Sequence, residues 1–195
     1  PSIHRHAAAW YTPWVEFPPE ELETSRLLLR RPKLEDAEAA FKSYASDAEI
    51  TTYLSWKAHT SAAQTREHLQ QAIDAWDLRM GHRVWLIVRK EDRRVLGTIG
   101  CTVYFHRLEI GFALGSRFWG AGVMPEALEA VCHAAFEDER IYRVQALCDE
   151  ENSRSARVME KAGMRLEGRL RSYGHHPNRS AEPRDCLMYA LVRGD

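Results

Sequence analysis

Three apolar stretches follow one another in the middle of the chain, and they restrict its fold more than any other feature. They are RVWLIVRK (83–90), RVLGTIGCTVYF (94–105) and RLEIGFAL (107–114). Runs of this length, rich in β-branched and aromatic residues and separated by short turns, are typical of consecutive antiparallel strands. The sequence therefore predicts a three-stranded meander at the centre of the fold.

The segments on either side of the meander alternate between extended and helical patterns. The patterns predict strands at 24–32, 142–149, 164–173 and 186–193, and helices at 33–46, 60–80, 124–139 and 153–162. Ser61 and Gln64 stand in capping-box register at the start of the second helix, which Gly81 is expected to end. This order predicts a mixed α+β fold, in which one sheet has helices on both faces.

Length, charge and hydropathy narrow the class of protein. A chain of 195 residues fits one domain, which we expect to span residues 22–195 after an extended arm at 1–21. No apolar run approaches the roughly 20 residues that a membrane helix needs, and the opening segment lacks a signal-peptide pattern. The formal net charge of −1 argues against nucleic acid as a partner. We therefore expect a cytoplasmic protein that binds neither nucleic acid nor a membrane.

The cysteines and histidines indicate neither a disulfide framework nor a metal site. His4 and His6, and likewise His175 and His176, have no cysteine or carboxylate at ligand spacing, so we expect no metal. Four cysteines lie far apart among apolar neighbours, and we expect them to be buried free thiols. They are Cys101, Cys132, Cys148 and Cys186.

The stretch RFWGAGVMPE (117–126) places two glycines where a helix is about to begin. Glycine costs conformational entropy and packs nothing, so the pair suggests a close approach to the backbone. A helix N-terminus attracts anions, because it presents unpaired N–H groups and a partial positive charge. The stretch lacks the Lys and Ser/Thr of a Walker loop, and Pro125 replaces the third glycine of a dinucleotide fingerprint. It predicts an anion site, with a plain strand-to-helix turn as the alternative.

Four segments, taken in order, resemble the GNAT N-acetyltransferases. Arg117, Gly120 and Gly122 match the acyl-CoA-binding pattern Q/R-x-x-G-x-G/A of that family. The stretch DEENSRSARVMEKAGMRLEGRLR looks like the following strand and helix of the RimJ/RimL-like branch, the ribosomal-protein N-terminal acetyltransferases and their relatives. TSRLLLRRPKLEDAEAAF and RDCLMYAL fit the same branch. The resemblance covers residues 22–192.

The resemblance implies the GNAT fold and acetyl-CoA as the donor. That fold has a mostly antiparallel, twisted sheet of about seven strands with helices on both faces. Its splayed strand pair, here 107–114 and 142–149, holds the acyl-CoA. Local cations must help to hold so anionic a donor, since the whole chain is nearly neutral. The residues expected at the donor are Ala113, Leu114, Arg117, Gly120, Ala121, Gly122, Val123, Asn152, Arg157 and Lys161.

Strand alternation singles out Glu109 as a candidate base. In LEIGFAL it shares one face with Gly111 and Ala113, so its carboxylate stands over open space where a substrate can lie. An ordinary solvent-facing glutamate is the alternative. The family often has a glutamate at this place, proposed to take a proton from the acceptor amine through water.

The resemblance also suggests how the leaving thiolate is protonated. Ser155 matches the hydroxyl of the branch's N-x-x-S pattern, in which Asn152 stands three residues earlier. Asn152 is at the same time a good helix N-cap, and the two roles are compatible. Backbone N–H groups near Ala113 and Leu114 are expected to polarise the acetyl carbonyl, as the family's distorted strand does.

The acceptor amine is the least determined part of the prediction. We expect its pocket to come from the loop after the first helix and from the last strand pair, although a role in the aromatic core is the alternative for each candidate. The branch implies a protein N-terminal α-amine, whereas a polyamine, amino acid or antibiotic would use the same chemistry. A non-catalytic acyl-CoA-binding module is the alternative of another class, and both a homodimer and a monomer fit the sequence. The candidates are Tyr53, Trp56, Tyr104 and Tyr173.

Overall fold

One sheet of eight strands runs through the residues that the computed structural model describes, 18–78 and 81–195. The strands are β1 (Glu21–Glu23), β2 (Leu27–Arg30), β3 (His82–Arg89), β4 (Val95–Tyr104), β5 (Arg107–Leu114), β6 (Arg143–Asp149), β7 (Arg165–Gly174) and β8 (Arg184–Val192). Across the sheet their order is β1-β2-β3-β4-β5-β6-β8-β7, and all neighbours are antiparallel except β5 and β6. The predicted meander is confirmed as β3, β4 and β5.

The described residues form five α-helices. They are α1 (Ala37–Ala40), α2 (Ala48–Thr51), α3 (Ala62–Asp77), α4 (Val123–Glu137) and α5 (Ser153–Lys161). A 3₁₀ turn (Leu34–Asp36) precedes α1 and a π-helical turn (Phe41–Ala45) follows it, so the predicted helix 33–46 is one irregular helical segment. Nothing among these described helices has both the length and the apolar character to cross a membrane.

The predicted strand 24–32 begins later, at Leu27, because residues 24–26 form a tight turn that joins β2 to β1, the eighth strand of the sheet. The Oγ1 atom of Thr24 accepts the N–H of Leu27 at 2.9 Å, and Thr24 N donates to Leu27 O at 3.0 Å. The sequence does not predict β1, because ELE contains a single apolar side chain. Residues 1–17 lie outside the described residues, so the arm at 1–21 stays a prediction.

The secondary structure between the first and second predicted helices, and the end of the second helix, differ from the prediction. The predicted loop contains the short helix α2, for which Asp47 is the N-cap. Ser61 caps α3 as predicted, since its Oγ accepts the N–H of Gln64 at 3.2 Å. The helix ends at Asp77, before its predicted end, and the predicted apolar residue Met80 lies outside the described residues.

Apolar side chains on the two faces of the sheet form two cores. Leu108 and Ile110 of β5 belong to the core that α4 and α5 cover. Ala113 belongs to the other core, which α1, its π-helical turn and Leu69 of α3 cover. The prediction of helices on both faces is confirmed, and so is the alternation along β5.

All four cysteines are buried and free, as the sequence predicts. Burial raises the pKa of the Cys101 and Cys132 thiols to about 12, and it also raises the pKa of Cys186. Because the thiolate is the reactive form, these groups are poor nucleophiles at neutral pH.

Thiol titration with an aromatic disulfide reagent at pH 8 is expected to find no fast-reacting cysteine in the native protein. The same reagent should find four thiols after unfolding in denaturant, since all four cysteines are free. Fast reaction of even one thiol in the native protein would contradict their burial.

Candidate active site

Strands β5 and β6 pair over only half of their length. Their parallel register joins residues 107–110 to residues 143–146 and then stops. Beyond that point β5 continues to Leu114 beside β4, and β6 continues to Asp149 beside β8. A gap therefore opens between the two strands, at the place that the resemblance implied.

The backbone of Leu114 faces this gap. Gly115 N donates to Leu96 O on β4 at 2.9 Å, so alternation along β5 turns the N–H and C=O groups of Leu114 away from β4. Leu114 O accepts a hydrogen bond from Trp119 Nε1 at 2.9 Å. The N–H group points the same way and can donate to an oxygen of a ligand in the gap.

The glycine pair before α4 has a backbone conformation that other residues avoid. Gly120 has a φ of +79° and Gly122 a φ of +74°, both in the left-handed region. Gly122 is the N-cap of α4, and no side chain caps this helix. The first N–H groups of α4 therefore remain open to an anion, which is the geometry that the predicted site requires.

Arg26 fixes the glycine loop from the turn between β1 and β2. Its Nη1 donates to Ala121 O at 3.1 Å and its Nε to Glu126 Oε2 at 2.7 Å. Burial alone would raise the pKa of Glu126, but hydrogen bonds from Thr24 and Arg26 outweigh it and hold this pKa below its usual value. The sequence does not predict this role for Arg26, because its pattern places this arginine in a strand.

The gap widens into a cleft of about 650 Å³. The end of β5 and the glycine loop line one side, and α2 with its following loop and the start of α5 line the rest. Arg154 is paired with Glu49 at 3.1 Å and lies over the ring of Trp119 at 4.3 Å. Arg157 and Lys161 also line the cleft and form no ion pair within the described residues. These two cations are available to neutralise an anionic ligand.

Asn152 and Ser155 begin α5 beside the gap, and both line the cleft. Asn152 Oδ1 accepts the N–H of Ser155 at 3.1 Å, so Asn152 is the N-cap. The Ser155 hydroxyl forms no hydrogen bond to any other described residue. It is placed to donate a hydrogen bond or a proton to a ligand in the cleft.

Glu109 lies just before the point where β5 and β6 separate. It stands in register between Thr102 of β4 and Gln145 of β6, and its Oε2 accepts a hydrogen bond from Gln145 Nε2 at 2.9 Å. Glu109 does not line the cleft. At Gly111, the next residue on this face, a Cβ would meet no atom within 4 Å. The strand face between Glu109 and the gap is therefore open, as the alternation predicts.

Three histidines that no sequence pattern singles out lie near the same face. The Nδ1 atom of His82 is 3.1 Å from Thr102 Oγ1, and the rings of His59 and His68 are 5.6 Å apart. Burial is the main cause that lowers the pKa of all three, and a basic neighbour adds to it, which is another of these histidines for His59 and His68 and Arg83 for His82. They are neutral at pH 7 and add no charge near Glu109. They come from a loop, a helix and a strand, so no spacing rule links them.

Several predicted site residues lie outside the cleft. Arg117 donates from Nη2 to a backbone carbonyl of the π-helical turn at 2.9 Å. Trp56 packs against the histidine pair, Tyr104 is exposed at the end of β4 away from the gap, and Tyr173 is exposed on the edge strand β7. The predicted residues that do line the cleft are Tyr53, Ala113, Leu114, Gly120, Gly122, Val123, Asn152, Ser155, Arg157 and Lys161.

The described histidines, cysteines and carboxylates form no cluster of three or more that could hold a metal ion. His176 Nε2 lies 3.8 Å from Asp149 Oδ2 and 3.7 Å from Cys186 Sγ, and these contacts do not form such a cluster. His4 and His6 lie outside the described residues.

Comparison with known proteins assigns the chain to a family. It matches the acetyltransferase (GNAT) domain over residues 26–165. An uncharacterized N-acetyltransferase of Bacillus licheniformis, p20, is 32% identical over 177 residues, which are 89% of this chain and 97% of that protein. The chain therefore belongs to the GNAT family of acetyl-CoA-dependent N-acetyltransferases, as the resemblance implied.

Solved structures share the fold. A GNAT-family acetyltransferase from Bacillus anthracis has a TM-score of 0.78 at 28% identity, over 90% of this chain and 99% of that one. RimL, a ribosomal L7/L12 alpha-N-protein acetyltransferase solved in complex with coenzyme A, has a TM-score of 0.76 at 22% identity, over 89% and 98%. The GNAT fold is therefore confirmed, and its structural neighbours include the RimJ/RimL-like branch.

The substitution Gly120→Ala is expected to weaken the binding of coenzyme A about tenfold, as measured by calorimetry. An added Cβ would meet no atom within 4 Å, so the effect comes from the backbone alone. A residue with a side chain is strained by about 1–2 kcal/mol at a φ of +79°. Relief of that strain would move the N–H groups of the loop.

Gly168→Ala is the matched control. An added Cβ at Gly168 also meets open space, but this glycine lies in β7 and its φ is outside the left-handed region. Its affinity for coenzyme A should equal that of the unmodified protein. Equal affinity in the Gly120→Ala variant would contradict the role of the loop.

Proposed function

We propose that this GNAT acetyltransferase transfers the acetyl group of acetyl-CoA to the N-terminal α-amine of a protein, by direct attack of the amine on the thioester. The proposal rests on the gap between β5 and β6, because the glycine loop, Ser155 and Tyr53 all meet in one cleft there. Among the described residues, no cysteine or histidine lines that cleft. Ser155 is a possible nucleophile there, but its hydroxyl has no hydrogen-bonded base among the described residues, so the arrangement favours transfer in one step over a relay through an acyl-enzyme.

The donor half of the cleft has the groups that an acyl-CoA needs. The N–H groups of residues 120–123 would bind the pyrophosphate, with Arg157 and Lys161 as the unpaired cations beside it. When bound, acetyl-CoA supplies an acyl group activated as a thioester. The Leu114 N–H would polarise the acetyl carbonyl, and the Ser155 hydroxyl would give its proton to the sulfur as the carbon–sulfur bond breaks.

Glu109 would take the proton that the amine loses, through a water molecule. One carboxylate oxygen of Glu109 is held by Gln145, and the other accepts no hydrogen bond within the described residues. An α-amine has a pKa near 8, so roughly a tenth of it is already neutral at pH 7, against less than about one part in a thousand for a lysine. A weak base acting through water therefore suits an α-amine better than a lysine-like amine.

The fold is similar to that of RimL, which is named for its action on a protein α-amine, and this similarity supports a protein α-amine as the acceptor. A small amine remains the alternative acceptor, since the same cleft and the same chemistry could serve it. The experiment must therefore separate these two classes of amine.

The proposal is tested by the release of free thiol from acetyl-CoA in the presence of a panel of amines. The panel contains peptides that start with Ser or Ala, polyamines, amino acids and aminoglycosides. The matched control for each peptide is the same peptide with a formylated N-terminus. We expect release with the free peptides and none with the blocked ones. Release with small amines alone would reassign the acceptor, and donor binding without any release would refute catalysis.

Glu109→Gln is expected to lower turnover more than tenfold, because an amide cannot accept the proton that the amine loses. The affinity for coenzyme A should not change, since Glu109 does not line the donor cleft. Glu129→Gln on the exposed side of α4 removes the same charge far from the gap, and it should retain full turnover. Unchanged turnover in the Glu109 variant would remove this residue from the mechanism.

A further inference from the structure

The loop between β7 and β8 (residues 175–183) is fastened to the segment that follows α2. Asn178 donates from its side-chain Nδ2 to two backbone carbonyls there, Thr51 O at 2.7 Å and Trp56 O at 2.8 Å. Both partners are acceptors, so only the amide nitrogen of Asn178 can satisfy them. We call residues 51–56 the acceptor wall, because Tyr53 and Leu54 within it line the cleft.

The next residue of the same loop contacts both the acceptor wall and the turn before α5. The Arg179 guanidinium donates to the Glu151 carboxylate and lies 5.3 Å from the ring centre of Tyr53. Glu151 is next to Asn152, the N-cap of the helix that carries Ser155. The loop therefore bridges the acceptor wall and the start of α5.

The turn before α5 is itself fixed firmly. Arg184, at the start of β8, donates to Asp149 Oδ1 at 3.1 Å and to Glu151 Oε1 at 2.9 Å. Asp149 is fully buried, and burial alone would raise its pKa, but the hydrogen bonds from Arg184 outweigh this effect and lower the pKa. The loop is therefore attached, through Arg179 and Glu151, to a turn that Arg184 holds in place on one side of the cleft.

The side chain of Asn178 is not needed to shape its own loop. Arg179 N and Ser180 N both donate to His176 O, at 2.8 and 3.1 Å, and these bonds close the local turn. Asparagine in a loop commonly bonds its own neighbouring backbone. Here the Nδ2 group of Asn178 donates instead to backbone carbonyls more than 120 positions earlier in the chain. This points to a role for Asn178 in holding the acceptor wall.

We propose that Asn178 is a positioning residue, which clamps the acceptor wall so that Tyr53 stands at a fixed place relative to Ser155 before the amine arrives. This inference rests on the proposed function, in which the amine enters along the acceptor wall. Without the clamp the amine would have to order the wall as it binds, and that cost would weaken its binding. Donor binding should be unaffected, since no hydrogen bond or ion pair among the described residues joins residues 120–123 to the loop at 175–183.

The variant Asn178→Asp tests the clamp directly. The side chain keeps its size, but a carboxylate then faces two carbonyl oxygens and cannot donate to them. With two hydrogen bonds lost, the KM for the acceptor peptide should rise about tenfold, while kcat stays within about twofold. Calorimetry should find an unchanged affinity for coenzyme A. Asn178→Ala, which removes the donor without adding a charge, should raise KM in the same way.

Hydrogen exchange gives a second measurement that needs no turnover. The backbone amides of residues 51–58 should exchange faster in the Asn178→Asp variant, and those of α5 should not. Glu182→Gln is the control in the same loop, because the side chain of Glu182 bonds to no other described residue. Its exchange and its KM should match the unmodified protein.

The outcomes separate the clamp from the proposed function. Faster exchange together with a raised KM supports the clamp. Unchanged exchange overturns it, and so does a fall in kcat at constant KM, which a purely structural role would produce. If the unmodified protein acetylates no amine of the panel, the proposed function fails, whereas the exchange comparison still decides whether Asn178 holds the wall.

Discussion

The whole site depends on the point at which β5 and β6 stop pairing. Strands that separate inside a sheet leave backbone groups without partners, which is costly unless other groups replace the lost bonds. Here each strand keeps its outer neighbour, β4 on one side and β8 on the other. Trp119 donates to Leu114 O and so replaces part of what β6 would have provided. The gap is stable for these reasons, and the Leu114 N–H remains available to a ligand.

Charge in the cleft is arranged locally, because the chain as a whole has a net charge of only −1. The two acidic residues that line the cleft, Glu49 and Glu151, are both paired with arginines. Such surface pairs contribute little to stability, typically about 0–1 kcal/mol. These pairs nevertheless neutralise the two carboxylates in the cleft. Arg157 and Lys161 of α5, which also line the cleft, remain unpaired within the described residues. The cleft of a nearly neutral protein therefore contains two unpaired cations, which the proposed function assigns to the anionic donor.

The sequence predicts those parts of the site that depend on local patterns. The glycine pair, the meander and the alternation that sets Glu109 apart from Ile110 all follow from spacing along the chain. Patterns of this kind do not give the direction of a side chain at a turn. The resemblance implies a place for Arg117 at the donor, whereas its guanidinium bonds to the π-helical turn. Residue type alone makes Tyr104 a candidate, whereas its distance from the gap follows from strand register.

The parts that the sequence could not predict are contacts between distant segments. Arg26 reaches the loop at Ala121, and Asn178 reaches back to Thr51, across about a hundred residues or more. An arginine in a strand or an asparagine in a loop is ordinary, and only the folded arrangement gives either residue a partner. The histidines near Glu109 are a third example, since they come from three separate elements.

Amide NMR spectra of the ¹⁵N-labelled protein, recorded with increasing coenzyme A, would show whether the donor binds in the gap between β5 and β6. We expect the largest chemical-shift changes at residues 112–115, 120–123 and 152–161, which surround this gap. Residues of β1 and of β7 should change little. Changes concentrated away from the gap, or no changes at saturating ligand, would contradict the claim that the separation of these two strands forms the donor site.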